Sequence, residues 1–212
     1  MKPFVDETRT PPVRGFWHDA AVADGVAAQG VLVLAHGAGS NAAAPVLVAV
    51  ADAFVAAGYA VLRCDLPFRQ ARPHGPPFPA MAARDREGLE NAVLAARGSG
   101  RVILGGHSYG GRQASMLAAE KPDLADALLL LSYPLHPPRK PDQLRTTHFP
   151  RLRTPALFVH GARDTFGSID EVRTAIGLIP APTKLMEITA AGHDLRNFGW
   201  APEVPGSLEE VL

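Results

Sequence analysis

The chain has 212 residues, enough to bury a core without disulfide or metal staples. Hydrophobic residues make up 47% and charged residues 20%, the balance of a globular protein rather than a disordered one. The 21 basic residues match the 21 acidic ones, which argues against nucleic acid or an acidic membrane surface as partner.

The single cysteine, Cys64, excludes an internal disulfide and fits a reducing, cytoplasmic compartment. Lys2, Asp6, Glu7 and Arg9 punctuate the first ten residues without an apolar stretch, so no signal peptide is expected. No apolar run approaches the ~18 residues of a membrane span.

Residues 1–28 are weakly patterned; 13–17 read as an edge strand and 20–29 as a turn. Residues 31–36 are a continuous apolar run, hence a strand covered on both faces, and it ends in His36-Gly37-Ala38-Gly39-Ser40. Pro45 suits the first turn of a helix that should reach Ala57 and stop at Gly58. A second buried strand is expected over 59–63. The Pro-rich stretch 68–79 reads as a loop, and 80–97 as a helix ended by Gly98. After the central strand described below, further strands are expected over 127–131, 155–160 and 184–188, with a helix over 169–179. The connection 133–154, rich in Pro, Arg and His, is too polar for the core. Strands alternating with helices imply one α/β domain over 1–212, a mostly parallel sheet with helices on both faces. In such sheets ligands bind at the carboxyl ends of the strands.

The stretch around Ser108 is the most informative. Residues 101–105 are a buried-strand composition, Gly106-His107-Ser108-Tyr109-Gly110 follows, and 113–120 read as a helix that Pro122 must end. Strand, tight turn and helix are the context in which G-x-S-x-G lifts a serine hydroxyl above a sheet edge. The glycines flank a strained turn, and the Tyr109 amide at the helix N-terminus faces the place where negative charge would develop. The plainer alternative is a glycine-rich turn with an idle serine.

A serine hydroxyl needs a base and an acid to orient it, in chain order Ser, acid, His for this kind of turn. Asp164 follows one strand end and His193 the next. Asp164 also fits a helix cap near Ser168 or a solvated loop acid, and Asp170 and Asp194 are rivals for its role. Among eight histidines only His193 is last in order and follows a glycine at a strand end; His36 and His160 read as loop anchors, and His107 as pointing away from the serine. The second oxyanion amide is expected from 36–39, with Ala38 the first choice and Gly39 sharing. Arg112 opposes the helix dipole, so an acid partner is expected for it. Loops 66–79 and 133–153 are candidates for pocket walls, and Arg69 and Arg72 faintly favour an acidic substrate group.

The segments HGAGS at 36–40, GHSYGGR at 106–112, HGARDTFG at 160–167 and GHDL at 192–195 resemble the α/β-hydrolase superfamily. The likeness spans about 31–195 and is nearest to the small dienelactone-hydrolase-like group, in the branch of testis-expressed protein 30. It implies a three-layer fold with minimal or no lid and an esterase-like serine hydrolase acting on a small-molecule ester without cofactor or metal. Ser108 is the implied nucleophile, Asp164 the acid, His193 the base, and Ala38 and Tyr109 the oxyanion donors. Two departures stand out. Dienelactone hydrolases proper carry a cysteine where this chain has Ser108, and the tail after His193 is short, which predicts an uncovered apolar face. Two other readings stay open: a hydrolase fold used only for binding, and a dinucleotide-binding oxidoreductase, since Gly37-x-Gly39-x-x-Ala42 precedes a helix and Asp65 ends the next strand.

Overall fold

The computed structural model describes residues 1–23 and 25–212. Its strands are β1 (Lys2–Asp6), β2 (Val13–His18), β3 (Gly30–Ala35), β4 (Ala60–Cys64), β5 (Arg101–His107), β6 (Ala127–Leu131), β7 (Ala156–Gly161) and β8 (Thr183–Ile188). They form one sheet in the order β1-β2-β4-β3-β5-β6-β7-β8. The pairs β1–β2 and β2–β4 are antiparallel; every other pair is parallel.

The α-helices are α1 (Pro45–Ala56), α2 (Pro67–Ala71), α3 (Ala82–Ala96), α4 (Tyr109–Glu120), α5 (Ile169–Ile176) and α6 (Val204–Glu209). None is long and apolar enough to cross a membrane among the described residues.

The continuous apolar strands make sense once both faces are covered. From β3, Val31, Val33 and Ala35 enter one core with Leu89 and Val93 of α3, Leu117 of α4 and Val172 of α5. Leu32 and Leu34 enter the other, with Leu47, Val50 and Phe54 of α1 and Leu208 of α6. Each fully buried side chain of this size contributes roughly 1.5–3 kcal/mol of transfer free energy. Helix α5 starts at Ser168, whose hydroxyl accepts from Glu171 N while the Glu171 carboxylate accepts from Ser168 N, a closed capping box.

Three expectations change, and a fourth falls partly outside the described residues. Residues 13–17 do form a strand, but an interior one, because the unanticipated β1 takes the edge. The 68–79 stretch opens inside α2, with Pro67 in the first turn, where its missing N–H costs nothing. The tail does not leave its face bare: Trp200, Ala201, Val204, Leu208 and Val211 pack with α1. The turn expected over 20–29 includes Asp24, which lies outside the described residues.

Cys64 is buried, and burial pushes its thiol up to about 12, so it is a small hydrophobe here rather than a nucleophile. The β6–β7 connection carries only a short 3₁₀ turn, Phe149–Arg151, and no lid helix.

Candidate active site

Ser108 sits between β5 and α4 with φ 51° and ψ −114°, a conformation that β-carbon-bearing residues avoid. The chain has no slack there. A β-carbon at Gly106 would lie 2.5 Å from the Ala35 carbonyl oxygen, and one at Gly110 would lie 2.6 Å from the same atom. The turn therefore requires glycine at both flanks and presses the serine outward.

Its Oγ is 2.8 Å from His193 Nε2, and His193 Nδ1 is 2.8 Å from Asp164 Oδ2. The Asp164 side chain is fully buried, and its other oxygen accepts from Phe166 N at 2.8 Å. With the aspartate accepting, Nδ1 carries the proton and Nε2 is left to accept from the serine hydroxyl. Phe166 stacks on the His193 ring, centroids 4.2 Å apart, and fixes its plane. Behind it, His107 Nε2 donates to the His193 carbonyl oxygen at 2.7 Å, and burial pushes His107 down to about 4.

The rivals for the acid lie elsewhere. Asp170 pairs with Arg173 at 2.6 Å on the outside of α5, and Asp194 pairs with Arg196 at 2.5 Å in solvent. The cap of α5 is Ser168, so Asp164 is not needed for that task. His36 and His160 do anchor loops: His36 Nδ1 donates to Gly37 O while its Nε2 accepts from Leu66 N, and His160 Nε2 donates to Gly167 O.

Sequence reasoning passed over a second serine–histidine contact, Ser115 Oγ to His148 Nε2 at 2.8 Å. Ser115 is fully buried and its hydroxyl donates to Arg112 O, so it faces the core and not the cleft.

Tyr109 is the first residue of α4, so its N–H has no partner within the helix. Its phenol donates to buried Asp85 at 2.7 Å, which ties α4 to α3, and Asp85 also accepts from Phe68 N of α2. Burial raises the Asp85 carboxyl above its ordinary range.

Ala38 lies opposite, in the loop after β3, and Arg69 of α2 holds that loop. Its guanidinium donates to Ala38 O (2.9 Å), Ser40 O (2.8 Å), Arg72 O (3.1 Å) and Gly75 O (3.1 Å). Arg69 is thus a brace for backbone carbonyls and not the acid-binding group its position implied. No motif announces this role; the only signal was an arginine just after the second parallel strand.

Ala38, Ser108 and Tyr109 open onto one cleft of about 490 Å³, lined also by Pro76, Pro77, Phe78, Pro79, Pro134, Arg145 and Phe166. Both loops named as walls contribute, though through these residues rather than Phe68, His74 or Tyr133.

Arg112 also lines the cleft, and the acid partner expected for it is missing: no carboxylate pairs with it among the described residues. Asp65, the candidate ribose ligand of the oxidoreductase reading, is instead occupied by the Ala42 amide at 2.7 Å.

A sheet of this order with a strained serine between its fifth strand and the next helix points to one family, and the sequence match agrees: a model described as an alpha/beta hydrolase domain covers residues 28–200. The chain belongs to the alpha/beta hydrolase family.

Solved α/β-hydrolase structures superpose over nearly its whole length. A dienelactone hydrolase from Anabaena variabilis is similar at 21% identity, with 99% of this chain and 96% of that one covered and a TM-score of 0.75. An alpha-beta serine hydrolase homologue from Coxiella burnetii matches at 16% identity, with coverage of 100% and 97% and a TM-score of 0.74. A serine hydrolase from Xanthomonas campestris, described as lacking a lid, matches at 16%, with coverage of 99% and 92% and a TM-score of 0.71. The dienelactone-hydrolase-like placement thus holds at the level of the fold. Among the described residues no group of three or more His, Cys, Asp or Glu is arranged to hold a metal ion.

Proposed function

We propose that the chain, read as one α/β-hydrolase domain over 1–212, hydrolyses small carboxylic esters or thioesters through an acyl-enzyme on Ser108. The observation that carries this reading is the continuous Ser108–His193–Asp164 relay, two contacts of 2.8 Å each, at the mouth of a cleft. His193 Nε2 takes the Ser108 proton as Oγ attacks the ester carbonyl. The oxyanion that forms accepts from the Tyr109 and Ala38 amides, at a helix N-terminus where negative charge is favoured. His193 returns the proton to the leaving alcohol or thiol, then deprotonates a water that cleaves the acyl-enzyme. Asp164 stays ionised and keeps the imidazole in the productive tautomer. No metal or cofactor takes part in these steps.

The G-x-S-x-G-G-R and H-G-x-x-D-x-F-G segments support the branch of testis-expressed protein 30, and the single buried thiol supports a cytoplasmic setting.

A fluorophosphonate probe and a short-chain p-nitrophenyl ester series, run on wild type and Ser108→Ala, test the reading. A Ser108 adduct and turnover that the variant loses are expected. Turnover retained in Ser108→Ala overturns the mechanism. Absence of both adduct and turnover in wild type favours a hydrolase fold that only binds. Asp164→Asn is expected to keep the fold and lower kcat by about 10⁴, because the wrong tautomer then faces the serine.

A further inference from the structure

We propose that the cleft carries an anion subsite, formed by Arg112 and Arg145, that selects esters bearing a carboxylate a few carbons from the scissile carbonyl. The inference rests on the reading of Ser108 as nucleophile and names the substrate class for it. Arg112 lies one helical turn past Ser108, its amide donating to Ser108 O at 3.0 Å, which places it about 6 Å further along the helix axis. Arg145 reaches the same cleft from the β6–β7 connection. The lining that holds these two guanidinium groups contains no aspartate or glutamate.

The charges are uncompensated. Among the described residues no carboxylate pairs with either arginine. The Nε of Arg112 is buried with no hydrogen-bond partner at all. A buried charged donor left without an acceptor is costly, so an arginine held this way is a poor structural choice.

The Arg145 guanidinium donates only to Pro134 O, at 3.3 Å, among the described residues, leaving most of its fork without a protein acceptor. The surroundings also register the excess of charge. Burial and then the field of Arg112 push His148 down to about 4, and the same two causes lower Arg145 from its ordinary value. A carboxylate offers what the pair lacks: one negative charge and two coplanar acceptor oxygens matched to a guanidinium.

Binding is tested without turnover in the Ser108→Ala variant, by calorimetry with monoethyl glutarate against its neutral isostere ethyl valerate. At least tenfold tighter binding of the anion is expected, with the difference removed by adding Arg112→Gln or, from the loop side, Arg145→Gln. Equal affinities, or double variants that keep the preference, overturn the subsite even if wild type hydrolyses neutral esters. A retained preference in a protein that turns over neither ester leaves the subsite standing and removes the hydrolase reading.

In wild type, p-nitrophenyl hydrogen glutarate carries the anion on the acyl side and 3-carboxyphenyl butyrate carries it on the alcohol side. Preference for one over p-nitrophenyl butyrate, mainly through KM, supports the subsite and fixes its side. The ratio of kcat/KM for that ester over the neutral one is expected to fall about tenfold in either arginine variant. Variants that depress charged and neutral esters alike overturn the proposal and return both arginines to a structural role.

Discussion

Arg69 donates to four backbone carbonyls, two in the loop after β3 and two just past α2, and to no carboxylate. Losing it should let the Ala38 loop drift, and the oxyanion donor proposed there would lose most of its value if displaced by an ångström. Arg69→Met is therefore expected to lower kcat about 10–100-fold while KM changes less, as read by steady-state kinetics on p-nitrophenyl butyrate. Arg69→Lys should recover only part of the loss, because one ammonium cannot span the same fork of acceptors. Tyr109→Phe tests a different link. It strips buried Asp85 of its phenolic donor, and urea unfolding should show a loss of about 1–3 kcal/mol.

At the scale of elements, the strand–turn–helix around Ser108 tolerates no added bulk. Gly110→Ala places a methyl 2.6 Å from a fixed carbonyl oxygen, so the variant should either misfold or lose activity out of proportion to its circular dichroism change. Leu208→Ala in α6 should cost about 2–5 kcal/mol in chemical denaturation if the tail closes the second core as described.

The parallel strands were readable from sequence, because buried strands are continuous apolar runs, and so was the meeting of Ser108, Asp164 and His193, because each follows the carboxyl end of a strand. Strand β1 was not, since its Lys2-Pro3-Phe4-Val5-Asp6 pattern is half polar and its residues are mostly exposed at an edge. Helix α2 escaped because five residues give no periodicity to count. The roles of Arg69 and Arg112 were out of reach for a further reason: charge type says nothing of whether a guanidinium meets carbonyls, a carboxylate or nothing.

For the whole molecule, four buried histidines weigh on the response to acid. Burial, as the largest cause, lowers His18, His36, His107 and His148; the last two are pushed down to about 4 from an ordinary 6.5. A histidine depressed in the native state is protonated more readily in the unfolded chain. Its stabilising contribution is therefore whole above about 6.5 and is lost as pH falls from there toward 4. His107, which is almost wholly enclosed, accounts for about 3 kcal/mol of this, and the more open His148 for less. Tm should drop steeply between pH 6.5 and 4.5, and His107→Gln should flatten that drop; a Tm insensitive to pH over this range would contradict the assignment.

The β6–β7 connection, which lays no α-helix across the cleft, has a kinetic consequence at lipid–water boundaries. With no cap to be prised away by an oil droplet, nothing is gained when ester molecules gather into micelles. Plotted against concentration, the rate should pass smoothly through the critical micelle concentration, where a capped lipase would show a jump.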